Sequence, residues 1–166
     1  MVKQQDMEHI LIIDDDVDMC KLLHRFLSKH GYGVVTTNSG KKGLDALELQ
    51  MPDIVLCDFR LQDTDGKTLL LKIKEINPVL PVIIITGYSD VKMAVDVMKH
   101  GAYDYVTKPL FPEEILLTIK KAIGATVKNA GTNDAEIINK SADKRENKVT
   151  KQKYIFSTTG VFGEIL

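Results

Sequence analysis

Three short stretches of this chain are apolar at successive positions: Ile10-Leu11-Ile12-Ile13, Ile54-Val55-Leu56-Cys57 and Val82-Ile83-Ile84-Ile85. A strand with one wet face alternates apolar and polar residues, whereas an unbroken apolar run marks a strand covered on both faces. After the first run, Met19, Leu22, Leu23, Phe26 and Leu27 trace a helix that Gly31 ends. Gly33 to Thr37 reads as a second strand, and Ser39 as the cap of a helix carrying Leu44, Leu47 and Leu49, with Pro52 beyond it. Past the third strand, Asp65-Gly66 leads into a helix around Leu69, Leu70, Ile73 and Ile76, closed by Asn77-Pro78. Ser89-Asp90 caps a fourth helix, expected to pack through Val91, Ala94, Val95 and Met98 and to stop at Gly101. Tyr103 to Thr107 makes a fifth strand. Pro112 opens the last helix, with Glu113 and Glu114 in its first turn and Lys120 and Lys121 in its last, the charge order a helix dipole favours.

Alternating strands and helices, with the strands covered on both faces, predict an α/β fold: a doubly wound, five-stranded parallel sheet joined by right-handed crossovers. The flavodoxin-like strand order 2-1-3-4-5 is adopted from that fold class rather than deduced from the periodicity. From about Thr126 the pattern stops. Residues 127–153 are rich in Lys, Asn, Asp and Thr and read as a polar C-terminal linker, flexible or at most partly helical. Tyr154-Ile155-Phe156 and Val161-Phe162 to Leu166 are apolar again but too short for a core. The expected organisation is one domain over residues 1–126, then a linker and the truncated start of a following domain over 127–166.

Hydrophobic residues make up 44% of the chain and charged residues 27%, enough for one globular core. A formal net charge of −1 gives no global attraction to nucleic acid or to a membrane surface. Cys20 and Cys57 lie inside apolar patterns without ligand-like spacing and read as unpaired buried thiols, which suits a reducing compartment. The residues after Met1 make no signal peptide, and the longest apolar runs fall far short of a membrane span. A soluble cytoplasmic protein is expected. The scattered His9, His24, His30 and His100 read as surface or cap residues.

In a doubly wound sheet the ligand crevice lies at the carboxyl ends of the strands. Strand 1 runs into Asp14-Asp15-Asp16, strand 3 into Asp58, strand 4 into Thr86 and strand 5 into Lys108-Pro109. Any one of these has an ordinary explanation, and Asp16 reads as the cap of the first helix. Together they do not, because three carboxylates within several ångströms repel by a few kcal/mol per pair at an effective dielectric near 20. Lys108 supplies one positive charge, and a divalent cation is expected to supply the rest. With oxygen ligands alone on offer the cation should be hard, and Mg²⁺ with several retained waters fits best. The inventory suits phosphoryl transfer: an aspartate nucleophile, acids to hold the metal, a hydroxyl and an ammonium for the phosphoryl oxygens.

At this point residues 9 to about 125 resemble the receiver domains of bacterial two-component response regulators, the CheY-like family. The resemblance implies that Asp15 is a direct Mg²⁺ ligand, that Asp14 acts mainly through water, and that the Arg60 carbonyl completes the metal sphere. It also implies that Asp58 is the phosphoacceptor, with Gly66 closing its loop. Thr86 and Lys108 would grip the phosphoryl group, Lys108-Pro109 would be a cis peptide, and Tyr105 would be the switch aromatic. The family often has Met-Pro or Leu-Pro where this chain has Leu61-Gln62, which implies a less rigid loop. Arg60 and Tyr88 occupy positions that influence phosphoryl hydrolysis in the family.

Thr86-Gly87-Tyr88-Ser89-Asp90, Gly101-Ala102-Tyr103-Asp104-Tyr105 and Lys108-Pro109-Leu110 are similar to receivers of the NtrC type, which control sigma-54-dependent transcription through a following ATPase. These residues carry no Gly-rich phosphate loop, so ATP hydrolysis is not expected of them. The implied protein is a phosphoacceptor switch rather than a turnover enzyme, at most adding and losing its own phosphoryl group. Its implied phosphodonor is a sensor histidine kinase, with DNA contacted only through domains outside this chain and no membrane partner. Homodimerisation is implied through the fourth helix, fifth strand and fifth helix, where Val91, Met93, Val97, Phe111 and Leu117 could serve either the dimer face or the core.

One enzyme reading competes. Asp14-Asp15-Asp16-Val17 also matches the Asp-x-Asp-x-Val motif of haloacid-dehalogenase-like phosphatases, with Asp14 as nucleophile and Asp16 as acid. That scheme leaves Asp58 without a task, and the acidic metal motif expected beyond the lysine is missing. A pseudo-receiver used only for binding is the other rival, disfavoured because every chemical position is filled.

Overall fold

Within residues 9–126 each apolar run forms a strand and each periodic segment a helix in the structure, a computed structural model that describes residues 7–87 and 91–130. The elements are β1 (His9–Ile13), α1 (Val17–Lys29), β2 (Gly33–Thr37), α2 (Gly40–Leu49), β3 (Ile54–Asp58), α3 (Gly66–Ile76), β4 (Val82–Thr86), α4 (Val91–Lys99), β5 (Asp104–Thr107) and α5 (Pro112–Ala130). The strands pair in parallel in the order β2-β1-β3-β4-β5. β5 starts one residue later than expected. α5 runs four residues past Thr126, the point at which the apolar pattern fails. Tyr88, Ser89-Asp90 and the tail segments around Tyr154 and Phe162 lie outside the described residues.

Side chains alternate across a strand, so each covered strand feeds two cores. Ile10 and Ile12, Ile54 and Leu56, and Ile83 and Ile85 join Cys20, Leu23, Leu27, Ile115 and Ile119 under α1 and α5. Leu11 and Ile13, Val55 and Cys57, and Val82 and Ile84 join Leu47, Leu69, Leu70, Ile73 and Val97 under α2, α3 and α4. Each fully buried Leu or Ile contributes roughly 2 kcal/mol of transfer free energy, so both layers hold the sheet.

Side-chain oxygens satisfy the starts of α1, α2 and α3. Asp16 caps α1 by accepting from the N–H groups of Asp18 and Met19, both at 3.0 Å. Ser39 caps α2 through Lys42 N–H, and Asp65 caps α3 through Thr68 N–H at 2.9 Å. Gly31 and Gly101 follow α1 and α4 with φ of 90° and 98°, a conformation costly for any residue with a Cβ. The Lys108-Pro109 peptide is cis.

Leu22 on α1, Leu49 on α2 and Ile76 on α3, expected on the packed stripes, are exposed, and α4 departs furthest from expectation. In α4 the fully buried side chain is Val97, while Val91, Val95 and Met98 are exposed and Ala94 is half-buried. Val97 is therefore core. Val91, Phe111 and Leu117 remain on the surface at 75%, 57% and 57% exposure. Among the described residues no helix is long and apolar enough to cross a membrane.

Candidate functional site

The sheet register brings the acidic residues together. Ile13 pairs with Cys57, and extending that parallel register by one residue places Asp14 beside Asp58. Asp58 in turn pairs with Ile85, and Thr86 with Thr107, so Thr86 and Lys108 lie one and two steps further along the neighbouring strands. The ladder continues past the formal strand ends: Asp14 N–H donates to the Thr37 carbonyl at 3.0 Å, Phe59 N–H to Ile85 at 2.7 Å and Lys108 N–H to Thr86 at 2.7 Å. Backbone hydrogen bonds thus fix the Cα atoms from which the polar side chains project.

Asp14, Asp58 and Thr86 are all buried, while Asp15 is half-buried. One carboxylate oxygen from each of Asp14, Asp15 and Asp58 lies within 4.8 Å of the others. The Lys108 ammonium reaches Asp14 Oδ2 at 3.2 Å and Asp58 Oδ2 at 3.6 Å. The other Asp14 oxygen accepts from Asp16 N–H at 2.8 Å. Asp16, by contrast, turns out to solvent and is spent on capping α1.

Burial, then the Asp14 charge, pushes the Asp58 carboxyl above its ordinary value, against the pull of Lys108 and a backbone hydrogen bond from Arg60. Burial opposes the Lys108 ammonium, but Asp14 and Asp58 outweigh it and hold its pKa above the usual lysine value. Three carboxylates therefore face a single lysine. At 4.8 Å each like-charge pair costs ~3 kcal/mol at an effective dielectric of 20, which one ammonium does not cancel. The arrangement fits a divalent cation, and the chemistry of the donors narrows it. Cys20 donates its thiol proton to the Asp14 carbonyl and Cys57 to the Asp58 carbonyl, both at 3.3 Å. Burial first and nearby aspartates second push the Cys20 thiol up to about 11 and the Cys57 thiol higher still, so neither offers a thiolate at neutral pH. The oxygen-only set suits a hard ion.

Tyr105 lies on β5 opposite Ile84, half-buried against the α2–α3–α4 core. Arg60 lies in the β3–α3 loop, where it pairs with Asp65 in an isolated antiparallel bridge. Gly66 N–H donates to the Phe59 carbonyl at 2.7 Å, and a Cβ at position 66 would fall 2.7 Å from Phe59 Cα. Only glycine lets α3 start this close to the backbone behind Asp58.

Sequence reasoning missed Asp63. Leu61 N–H donates to the Thr64 carbonyl at 3.2 Å, which makes Gln62-Asp63 the tip of a two-residue turn. From that tip the Asp63 carboxylate accepts from Gly40 N–H and Lys41 N–H, both at 2.9 Å, at the start of α2. No local signal announces a bond that spans 23 residues.

A profile of the response regulator receiver domain matches residues 10–120. The transcriptional regulatory protein ZraR of Escherichia coli K12 is 43% identical over 117 residues, which cover 70% of this chain and 26% of that protein. The DNA-binding transcriptional regulator NtrC of Klebsiella pneumoniae is 38% identical over 132 residues, 80% of this chain and 28% of the relative. The chain thus spans about a quarter of the length of these curated relatives. Among solved structures, a CheY-like receiver domain from Methanospirillum hungatei aligns with a TM-score of 0.72 at 30% identity, covering 75% of this chain and 99% of that one. NtrX from Brucella abortus in complex with ATP aligns with a TM-score of 0.74 at 31% identity, covering 82% and 32%. None of these is a haloacid-dehalogenase-like phosphatase, and Asp58, idle in that scheme, sits within the acidic cluster. The chain belongs to the response regulator receiver family.

Proposed function

We propose that this domain is a phosphorylation switch in which Asp58 takes a phosphoryl group from a sensor histidine kinase. The observation that carries this reading is the meeting of the half-buried Lys108 ammonium with both buried carboxylates, Asp14 and Asp58. A carboxylate oxygen of Asp58 attacks phosphorus, an O–P bond forms, and the N–P bond to the donor imidazole breaks with its electron pair leaving on nitrogen. In this reading Lys108 neutralises the charge that gathers on the phosphoryl oxygens, and the Thr86 hydroxyl donates a hydrogen bond to one of them. The cluster of Asp14, Asp15 and Asp58 supports Mg²⁺ at this site; Asp15, Asp58 and the Arg60 carbonyl would hold it, with Asp14 acting through water. When bound, Mg²⁺ supplies the remaining positive charge on the transferring group.

Phosphorylation adds roughly two negative charges at Asp58, which draw Thr86 toward the phosphoryl group. Tyr105 then moves into the space vacated behind β4, and the surface of α4, β5 and α5 changes. Val91, Phe111 and Leu117, which are exposed, suit a homodimer face there. The names of the relatives support control of transcription, with DNA contacted by domains other than this one and with an NtrC-type, sigma-54-dependent ATPase as output. Residues 1–126 are the receiver in this scheme, 127–166 the linker and the start of that output domain, and the cytoplasm its site of action. The test is mass spectrometry after incubation with acetyl phosphate and Mg²⁺. A single phosphoryl adduct, absent from Asp58→Asn, is expected; turnover of a phosphomonoester without need of Asp58 overturns the reading.

A further inference from the structure

The turn at Gln62-Asp63 does more than join β3 to α3. We infer that Asp63 is a positioning residue for the cation site, anchoring the Asp58 loop to α2; the inference rests on the receiver function proposed above.

The first amides of a helix have no intrahelical partner and carry its partial positive charge. Asp63 takes two of them, from Gly40 and Lys41, and those bonds hold its carboxyl below the ordinary aspartate range. α2 already has a cap of its own in Ser39, which serves Lys42 N–H, so the helix does not depend on Asp63 to start. The loop is what gains. Thr64 Cγ2 lies over Gly40 so closely that a Cβ there would meet it at 2.4 Å. Glycine at position 40 therefore makes room for the tip to dock.

From the docked tip the contacts run straight to the site. Leu61 bonds to Thr64 across the turn, and Arg60 bridges to Asp65. Arg60 also gives a backbone hydrogen bond to the Asp58 carboxyl. Residues 59–65 form a short lever with α2 at one end and Asp58 at the other. The family often stiffens this loop with a proline at the position of Gln62, which would fix φ. Here Asp63 supplies the restraint instead. Its effect is mechanical, because the charges that move the Asp58 carboxyl most are those of Asp14, Lys108 and Asp15.

The experiment titrates Mg²⁺ alone into the 166-residue chain, followed by amide NMR, for the native protein, Asp63→Ala and Ser39→Ala. Asp63→Ala should raise the half-saturating Mg²⁺ concentration about tenfold, the scale on which outer partners tune a metal site. It should also speed hydrogen exchange at the amides of Gly40, Lys41 and Arg60. Ser39→Ala, which removes the helix's own cap, should leave the titration in place, and Asp63→Asn, which keeps one acceptor, should fall between. If Asp63→Ala does not fold, Asp63→Asn against Ser39→Ala decides in the same way. A native titration curve in the Asp63 variants, or an equal shift in Ser39→Ala, overturns the inference. A native chain that takes no phosphoryl group on Asp58 overturns the receiver function itself, a different result.

Discussion

Lys67 on α3 and Asp96 on α4 meet at 2.8 Å, next to Val97, the fully buried side chain of α4. The hydrogen bond from Lys67 is the main reason the Asp96 carboxyl sits below its usual range. Both side chains are partly open to water, so the pair is screened by salt and adds little to global stability. Its effect is local, because Val97 is the one fully buried side chain of α4. Lys67→Met should leave the thermal midpoint nearly unchanged while hydrogen exchange across Val91–Lys99 quickens, and added salt should do the same to the native protein. Unaltered exchange in both would show that the ion pair does not hold the helix.

The acidic cluster predicts a stability gain from losing its central charge. Because the folded-state pKa of Asp58 is raised, the native fold favours its protonated form. Stability from this group is greatest below the ordinary aspartate value and falls as pH rises from there through the folded pKa. Asp58→Asn in EDTA at pH 7 should therefore be more stable than the native chain by roughly 1–3 kcal/mol, the scale of a like-charge pair at this separation. The advantage should vanish below about pH 4, where Asp58 is protonated in both states. Adding Mg²⁺ should close the gap by stabilising the native chain alone. Urea unfolding at the two pH values, with and without the metal, is the measurement.

Two glycines should respond oppositely to alanine. At position 66 the new methyl would press on the Phe59 backbone, which cannot swing aside, so Gly66→Ala should cost ~2 kcal/mol or more and weaken Mg²⁺ binding. At position 124 in α5 nothing lies within 4 Å, so Gly124→Ala should gain up to ~1 kcal/mol from helix propensity. Paired denaturation curves would check both.

Tyr105 is half-buried on β5, opposite Ile84 and against the α2–α3–α4 core. Tyr105→Ala should still be phosphorylated by acetyl phosphate at close to the native rate but should not dimerise in response. Sedimentation of the phosphorylated variant reads this directly, and native dimerisation would remove the switch role.

The strands were legible because both-face burial leaves an unmistakable mark: Ile10 to Ile13 and Val82 to Ile85 have nowhere wet to point. The site was legible because the strand order turns four distant positions into neighbours. α4 was not. Its apolar residues offer more than one helical stripe, and the sequence does not say which stripe a helix near the sheet edge will bury; Val97 went in, and Val91, Val95 and Met98 stayed out. Leu22, Leu49 and Ile76 show the same limit on α1, α2 and α3. Asp63 was invisible for another reason. Its partners are backbone amides at Gly40 and Lys41, and an amide carries no side-chain signature.

Asp14, Asp58, Thr86 and Lys108 are each indexed by hydrogen-bonded rungs of one ladder, within a span of two steps. That makes the sheet a ruler for chemistry. Adding or deleting a residue inside β1, β3, β4 or β5 would shift a functional side chain by about 3.3 Å and turn it toward the opposite helical layer. A residue added where the chain enters these strands, near Asp53 or Pro81, changes no rung count. Length variation should therefore be confined to the far rim of the molecule, while the four strands that carry chemistry keep their length to the residue.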